Sequence, residues 1–328
     1  MRKFLTIIML AVLAVSCGTS GKKASADEQA SVVDVPSFSA DSAYSYVARQ
    51  CDFGPRVPGS EAHSLCGDYL VSKLKQFGAE VISQEADVTA WDGTVLRARN
   101  IIGVYKPESK KRLLLCAHWD SRPYADNDPD EANHHNPIMG ANDGASGVGV
   151  LLEVARHIGE QSPDLGVDIV FFDVEDYGSP QFYDGPYKED TWCLGSQYWA
   201  RHPHIKDYNP RYGILLDMVG GKQARFYYEG YSYRTAASRV RDIWNEAASL
   251  GYADRFVASR GGEVLDDHVY VHRIGRIPCV DIINYSPHDE RSSFGHTWHT
   301  VDDDMQNIDI RSLGIVGDVI MNVIYKEK

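Results

Sequence analysis

Three apolar runs of this chain end in acidic or histidine side chains, and this pattern constrains the fold more than any other feature. The runs are "LLLCAHWD", which ends in His118 and Asp120, "VFFDVED", which ends in Glu175 and Asp176, and "ILLDMVGG", which contains Asp217. A run that is apolar on both faces is typical of a strand buried inside a sheet. Because parallel strands bring their carboxyl ends to one edge, we expect these side chains to converge.

The segments between the apolar runs show helical periodicity, so strands and helices alternate along the chain. Helices are predicted at residues 41–51, 60–77, 145–157, 194–201, 234–250 and 308–325, and strands at 81–88, 98–105, 112–118, 167–172, 213–218 and 277–283. This order predicts an α/β fold, a three-layer α/β/α sandwich with a mixed, largely parallel central sheet. With 328 residues, of which 43% are hydrophobic, the chain is large enough for one such domain, which we assign to residues 36–328.

The amino-terminal segment differs from the rest. Arg2 and Lys3 precede an apolar stretch, residues 4–15, that is too short to span a bilayer and typical of a signal peptide. The residues "AVSC" resemble a lipoprotein signal box, so residues 1–17 are predicted to be a lipoprotein-type signal peptide ending at Cys17, and residues 18–35 a flexible tether. This predicts a bacterial lipoprotein of the periplasm or cell envelope, held at a membrane only through lipidated Cys17. The alternative is an ordinary cleaved signal with an incidental cysteine.

The net charge and the cysteine spacing argue against nucleic-acid binding and against a thiolate metal site. A net charge of −13, without any Lys/Arg-rich run, argues against a nucleic-acid partner. The cysteines besides Cys17 are odd in number and form no C-x-x-C pair, so at least one thiol is unpaired and no thiolate metal site is indicated. The number of disulfides stays open among Cys51, Cys66, Cys116, Cys193 and Cys279.

Two loops add candidate metal ligands to the strand ends. The motif "GANDGASG" places Asp143 before a predicted helix, and "GHTWHTVDDD" supplies His296 and His299. An Asp, a second acidic residue and a His from three loops would form a zinc site with an open position, as a catalytic zinc requires. Each signal is weak by itself, because acidic residues also form turns and helix caps and a single His is commonly structural.

Taken together, the ordered motifs resemble a known enzyme family. The segments "AHWDSRP", "GANDGASGVGVLLE", "FFDVEDYG", "LLDMVGG", "LDDH" and "WHTVDD" are similar to the zinc aminopeptidase-like superfamily and, within it, to the glutaminyl-peptide cyclotransferases. The resemblance extends from about residue 40 to the carboxyl end. It implies one zinc ion (Zn2+) bound by Asp143, Asp176 and His299, with Glu175 as the general acid/base.

The same resemblance assigns further residues to the site. It implies that Asp217 and Asp266 are hydrogen-bonding partners around the reacting centre and that Trp298 is a wall of the substrate pocket. The alternatives are a helix cap for Asp266 and a core aromatic for Trp298. His118 and Asp120 occupy positions where related aminopeptidases keep a ligand to a second zinc and the carboxylate that supports it, so the number of metal ions stays open.

The resemblance implies cyclisation of the N-terminal glutaminyl residue of peptides or proteins to pyroglutamate, with release of ammonia. Asp266 and Trp298 favour this reaction, because aminopeptidases usually carry a small hydroxyl residue and a Tyr or another residue at these positions. The main alternative is a zinc aminopeptidase that hydrolyses N-terminal residues with a metal-bound hydroxide. A non-catalytic surface module is a third hypothesis.

Overall fold

The computed structural model describes residues 33–186 and 188–327. The strands are β1 (Glu80–Thr89), β2 (Val95–Tyr105), β3 (Arg112–His118), β4 (Gly166–Phe172), β5 (Gly213–Asp217), β6 (Phe226–Tyr228), β7 (Phe256–Arg260) and β8 (Cys279–Ile283). Six of them form the central sheet in the order β1-β2-β4-β3-β5-β8, and β6 pairs with β7 separately. The pairs β4–β3, β3–β5 and β5–β8 are parallel, whereas β1–β2 and β2–β4 are antiparallel. The predicted mixed, largely parallel sheet is confirmed.

Helices cover both faces of this sheet. They are α1 (Ala40–Cys51), α2 (Glu61–Gln76), α3 (Ala145–Glu160), α4 (Leu194–Arg201), α5 (Gly230–Ser249), α6 (Asp267–Arg273) and α7 (Ile310–Lys326). Helices α1, α3 and α7 pack against one another on one face, while α4 and α6 pack together on the other. The structure is therefore the predicted three-layer α/β/α sandwich.

The alternation of side chains along β3 explains why its sequence is apolar throughout. Leu113 and Leu115 belong to the large core under α3, whereas Leu114 and Cys116 belong to the smaller core on the opposite face. Successive side chains of a strand point to opposite faces, so a strand covered on both sides needs apolar residues at every position. The same reasoning applies to β4, whose seven residues are all buried.

Several short elements of the described residues were not predicted from the sequence. They are β6, β7, α6 and two 3-10 helices, Glu131–Asn133 and Met305–Asn307, none of which is longer than seven residues. Such elements are too short to establish a periodicity, and they form because the surrounding chain packs against them. The predicted elements agree with the structure to within a few residues at each end, except that α5 begins at Gly230 rather than at residue 234.

The order of the strands creates a crevice at one edge of the sheet. The chain passes from β3 to β4 on one side of β3 and then returns to β5 on its other side. In open α/β sheets, ligands bind outside the carboxyl ends of the strands at such a reversal. His118 and Asp217 end β3 and β5 at this edge, and Asp176 follows β4.

The predicted signal peptide, residues 1–17, and most of the predicted tether lie outside the described residues. Asp34–Lys328 forms one compact unit, and the domain boundary at residue 36 stays a prediction. Among the described helices, none combines the length and the apolar character needed to span a membrane. The described cysteines Cys51, Cys66, Cys116, Cys193 and Cys279 are all buried with free thiols, so none of these five forms a disulfide.

Candidate metal centre and active site

The carboxyl edge of the sheet brings together Asp143, Asp176 and His299, the three residues predicted to bind zinc. His299 Nε2 lies 3.2 Å from Asp176 Oδ1 and 3.6 Å from Asp143 Oδ2. One donor atom from each of the three residues lies within 4.8 Å of the others, and all three residues are buried. His296, from the same stretch as His299, is exposed and belongs to no candidate metal group of the described residues.

The chemistry of this group fits a zinc ion. Two carboxylates and one imidazole are oxygen and nitrogen donors of the kind that catalytic zinc sites use, and three protein ligands leave one position open. Asp176 Oδ2 is buried and has no hydrogen-bond partner. A buried carboxylate oxygen without a partner is costly unless a cation neutralises it.

The loop before α3 is shaped to present Asp143. Gly144 has a φ of 106°, and a Cβ there would lie 2.6 Å from the backbone oxygen of His118, so glycine is required at this close approach. The carboxylate of Asp303 accepts hydrogen bonds from the backbone N–H groups of Asn142 (2.8 Å) and Asp143 (3.1 Å). These two hydrogen bonds fix the backbone on the amino side of the proposed ligand.

A single carboxylate organises the turn that follows β4. Asp120 accepts one hydrogen bond from the backbone N–H of Glu175 and another from that of Asp176, each at 3.1 Å. Val174, just before them, has a φ of 53°, a left-handed conformation that turns the chain sharply. Asp120 therefore holds the proposed general acid/base and a proposed ligand through their backbone.

The Glu175 side chain faces the cavity next to the proposed ligands. Enclosure of its carboxyl raises the pKa of Glu175 well above its ordinary value; the nearby His118 opposes this shift, and Asp176 adds to it. The thiol of Cys193 donates a hydrogen bond to Glu175 Oε1 at 3.1 Å. A carboxyl with a raised pKa at the edge of a cavity suits proton transfer near neutral pH.

A second group of possible donors shares Asp143 with the first. His118 Nε2 lies 2.9 Å from Asp143 Oδ1 and 3.3 Å from Asp217 Oδ1. His118 Nδ1 faces Asp120 Oδ1 at 3.5 Å. Burial and the neighbouring Asp143 raise the pKa of Asp217 to about 8. His118 and Asp120, the residues predicted for a possible second metal site, thus also lie close together.

A cavity of about 160 Å³ opens onto these groups. Its polar residues are Asp143, Glu175, Asp176, Asp217, Asp266 and His299, and its apolar wall includes Trp192, Val264, Leu265, Phe294 and Trp298. Asp266 caps α6, as the alternative interpretation held, and it also lines the cavity. Trp298 is partly exposed and faces the cavity, so it is not a core aromatic.

The sequence reasoning gave no role to several residues of this region, among them Trp192, Arg122 and Asp126. The indole of Trp192 lies parallel to the ring of His299, with centroids 6.1 Å apart. Arg122 and Asp126 are buried and contact two of the proposed ligands. The only signal for this pair is the four-residue spacing of opposite charges in "RPYAD", directly after the His118 motif.

Comparison with known proteins defines the class to which this fold and site belong. The model of peptidase family M28 matches residues 100–324, about two thirds of the chain. The chain therefore belongs to peptidase family M28.

Individual proteins similar to this chain include glutaminyl cyclases and a zinc-dependent exopeptidase. The crystal structure of Bacteroides thetaiotaomicron glutaminyl cyclase bound to N-acetylhistamine is 56% identical, covers 90% of this chain and all of that chain, and has a TM-score of 0.88. A Zn-dependent exopeptidase from Parabacteroides distasonis is 55% identical with the same coverage and TM-score. The glutaminyl-peptide cyclotransferase of Bos taurus is 26% identical over 282 residues, which are 77% of this chain and 73% of that protein. These similarities confirm the resemblance inferred from the motifs.

Proposed function

We propose that the protein converts the N-terminal glutaminyl residue of peptides and proteins to pyroglutamate and releases ammonia. The observation that carries this proposal is the position of the Glu175 carboxyl, in one cavity with three candidate zinc ligands and two tryptophans. The similarity to glutaminyl cyclases supports the choice of reaction. The cavity is small, about 160 Å³, and suits the side chain of one terminal residue.

The proposed metal ligands are Asp143, Asp176 and His299. Bound there, one zinc ion would act as a Lewis acid that polarises the γ-carbonyl of the substrate and stabilises the charge that develops on its oxygen. We propose one ion per chain, as the resemblance to the glutaminyl-peptide cyclotransferases implies.

Side chains of the protein are proposed to transfer the protons and to bind the substrate. The α-amine nitrogen attacks the carbonyl carbon of the γ-carboxamide, so one carbon–nitrogen bond forms while the bond from that carbon to the amide nitrogen breaks and the nitrogen leaves as ammonia. Glu175 takes a proton from the attacking amine and returns one to the departing ammonia. Asp266 Oδ2, which has no hydrogen-bond partner, is available to accept a hydrogen bond from the substrate, and Asp217 lines the cavity beside it.

Trp298 is proposed to restrain the flexible glutaminyl side chain. Its ring stacks on that of the adjacent His299, with centroids 3.7 Å apart, so the wall of the cavity is held against a proposed ligand. Holding the reacting atoms in an attack-ready geometry removes part of the entropic barrier to ring closure.

One observation favours a second candidate function. The group formed by His118, Asp143 and Asp217 provides donors within 4.8 Å of one another, as a second metal ion would need. With two ions the same cavity would suit a zinc aminopeptidase, in which Glu175 acts as the base.

Mass spectrometry of a Gln-initiated peptide distinguishes these functions. Incubation with the zinc-loaded protein is expected to yield a peptide lighter by one ammonia, and a chelator is expected to stop the reaction until zinc is restored. Release of free amino acids would instead support the aminopeptidase. A peptide that stays unchanged under all conditions would refute both functions.

The location of the protein is also proposed, from the sequence alone. We infer that it is an exported lipoprotein with one catalytic domain, tethered through Cys17, because Arg2 and Lys3 precede an apolar stretch that ends in "AVSC". Replacement Cys17→Ser is expected to move the protein from the membrane fraction to the soluble fraction. Recovery of the unaltered protein in the soluble fraction would contradict the tether.

A further inference from the structure

We propose that Arg122 and Asp126 form a positioning pair that orients His299 and Asp176 and thereby sets the affinity of the site for zinc. The inference rests on the proposed zinc site, but not on the identity of the substrate. Both residues lie in the loop that follows β3, and both are buried against the site.

The pair itself is buried and has ideal geometry. Arg122 Nε donates to Asp126 Oδ1 at 2.7 Å, and Nη2 donates to Oδ2 at 2.6 Å. Arg122 is fully buried and Asp126 is 3% exposed. Two parallel charge-assisted hydrogen bonds fix the plane of the carboxylate relative to the guanidinium. The backbone N–H of Gln181 donates to Asp126 Oδ2 at 2.7 Å and fixes it further.

Asp126 reaches His299 on the side away from the other proposed ligands. Its Oδ1 lies 3.3 Å from His299 Nδ1, a short ion-pair contact without hydrogen-bond geometry, while His299 Nε2 faces Asp176 and Asp143. A carboxylate at one ring nitrogen holds the proton there and leaves the lone pair of the other nitrogen for a metal ion. Asp126 is therefore the carboxylate placed to accept the Nδ1 proton and to set the tautomer and direction of His299 when a metal ion is bound.

Arg122 reaches a second proposed ligand. Its Nη1 donates to the backbone oxygen of Asp176 at 3.0 Å and to Asp176 Oδ1 at 3.4 Å. The guanidinium carbon also lies 4.6 Å from the ring centroid of Trp192, which stacks parallel to His299. One buried cation therefore connects Asp176, Asp126 and an aromatic wall of the cavity.

The chain contains a matched pair away from the site. Arg112 and Asp168 form the same bidentate contact, with Nε to Oδ2 at 2.7 Å and Nη2 to Oδ1 at 2.6 Å, and both residues are buried. They lie near the amino ends of β3 and β4, opposite the cavity. Replacement of Asp168 therefore controls for the general effect of breaking a buried ion pair.

The test measures zinc affinity by competition with a chromogenic chelator, together with thermal unfolding. Asp126→Asn is expected to weaken zinc binding by about 10- to 100-fold, as is usual for carboxylates that support a metal-binding His. At saturating zinc we expect most of kcat to return, because the replaced group does not touch the substrate. Asp168→Asn is expected to bind zinc as the unaltered protein does.

Two outcomes would overturn the inference. One is a folded Asp126→Asn protein with unchanged zinc affinity, and the other is an equal loss of affinity in Asp168→Asn. If Asp126→Asn does not fold, Arg122→Lys retains the cation but loses the bidentate contact, and unchanged zinc affinity in that variant would also overturn the inference. Zinc binding without cyclisation of Gln-peptides would refute the proposed function while leaving this inference intact.

Discussion

The two buried arginine–aspartate pairs lie at opposite ends of the parallel strands, and their surroundings differ sharply. At the amino end, Asp168 contacts Arg112, accepts a hydrogen bond from Tyr208 at 2.7 Å and faces His204 at 3.6 Å. At the carboxyl end, the Arg122–Asp126 pair lies beside several acidic residues that outnumber the nearby basic ones. Some of these acids have buried carboxylate oxygens without a hydrogen-bond partner, namely Asp176, Asp266 and Asp267.

This difference distinguishes buried acids that stabilise the fold from buried acids that are proposed to bind a metal ion or transfer protons. Buried carboxylates with a complete set of partners contribute to the folded structure, whereas unpartnered ones are costly. Burial raises the pKa of Asp176 and Asp266, while the nearby His204 and the hydrogen bonds from Arg112 overcome the effect of burial and hold the pKa of Asp168 below its ordinary value. An edge of unpartnered acids is where we expect a cation and mobile protons.

The largest expected effect is on catalysis at the acid-rich end. Glu175→Gln removes the proposed proton-transfer group but keeps its size, so kcat for a Gln-initiated peptide is expected to fall by about 10²- to 10⁴-fold. Zinc affinity and the unfolding temperature should change little, because Glu175 is not among the proposed ligands. Steady-state kinetics and chelator competition check this, and near-normal kcat would remove Glu175 from the mechanism.

The second effect is on stability at the amino end. Asp168→Asn leaves the buried guanidinium of Arg112 without its counter-charge, so the free energy of unfolding is expected to fall by about 3–5 kcal/mol. Denaturant titration measures the loss, and Glu175→Gln is the control that removes a carboxylate without breaking an ion pair. A loss below about 1 kcal/mol would mean that the two ends do not differ as described.

A third prediction concerns pH. Glu229 caps α5 and accepts hydrogen bonds from His268 and Ser232; burial would raise its pKa, but these contacts lower it from 4.5 to about 2. Because the folded-state pKa is depressed, the stabilisation is fully present above about pH 4.5 and is lost as the pH falls toward 2. Its size is on the order of 3 kcal/mol.

Comparing Glu229→Gln with the unaltered protein tests this pH dependence. The difference in the free energy of unfolding should be largest at pH 7 and should shrink as the pH is lowered toward 2. A difference that stays constant over this range would show that the charge of Glu229 does not contribute.

The smallest effect has the opposite sign. In the metal-free protein, Asp217→Asn removes one of several neighbouring buried acids and keeps an oxygen for His118, so we expect stability to increase by about 1 kcal/mol. Thermal unfolding in the presence of a chelator measures the change. A decrease in stability would indicate that hydrogen bonds and counter-charges balance the acids of this edge as well as they balance Asp168.

Much of the site was predictable because strand periodicity is local. Apolar runs located β3, β4 and β5, and the rule for parallel strands then brought His118, Glu175, Asp176 and Asp217 to one edge. Asp126 was not predictable in this way, since its contact with His299 joins residues 173 positions apart, through a loop without periodicity. The wall formed by Trp192 and the short helix α6 likewise depend on how loops pack.

The two hydrogen bonds that Asp120 accepts from consecutive backbone amides couple the position of the proposed general acid/base to that of the neighbouring proposed ligand. Neither carboxyl can be repositioned alone, because a shift of either peptide plane is transmitted to the other within one turn. Engineering this enzyme for a different metal ion would therefore also alter its acid–base step, unless the turn after β4 were rebuilt as a whole.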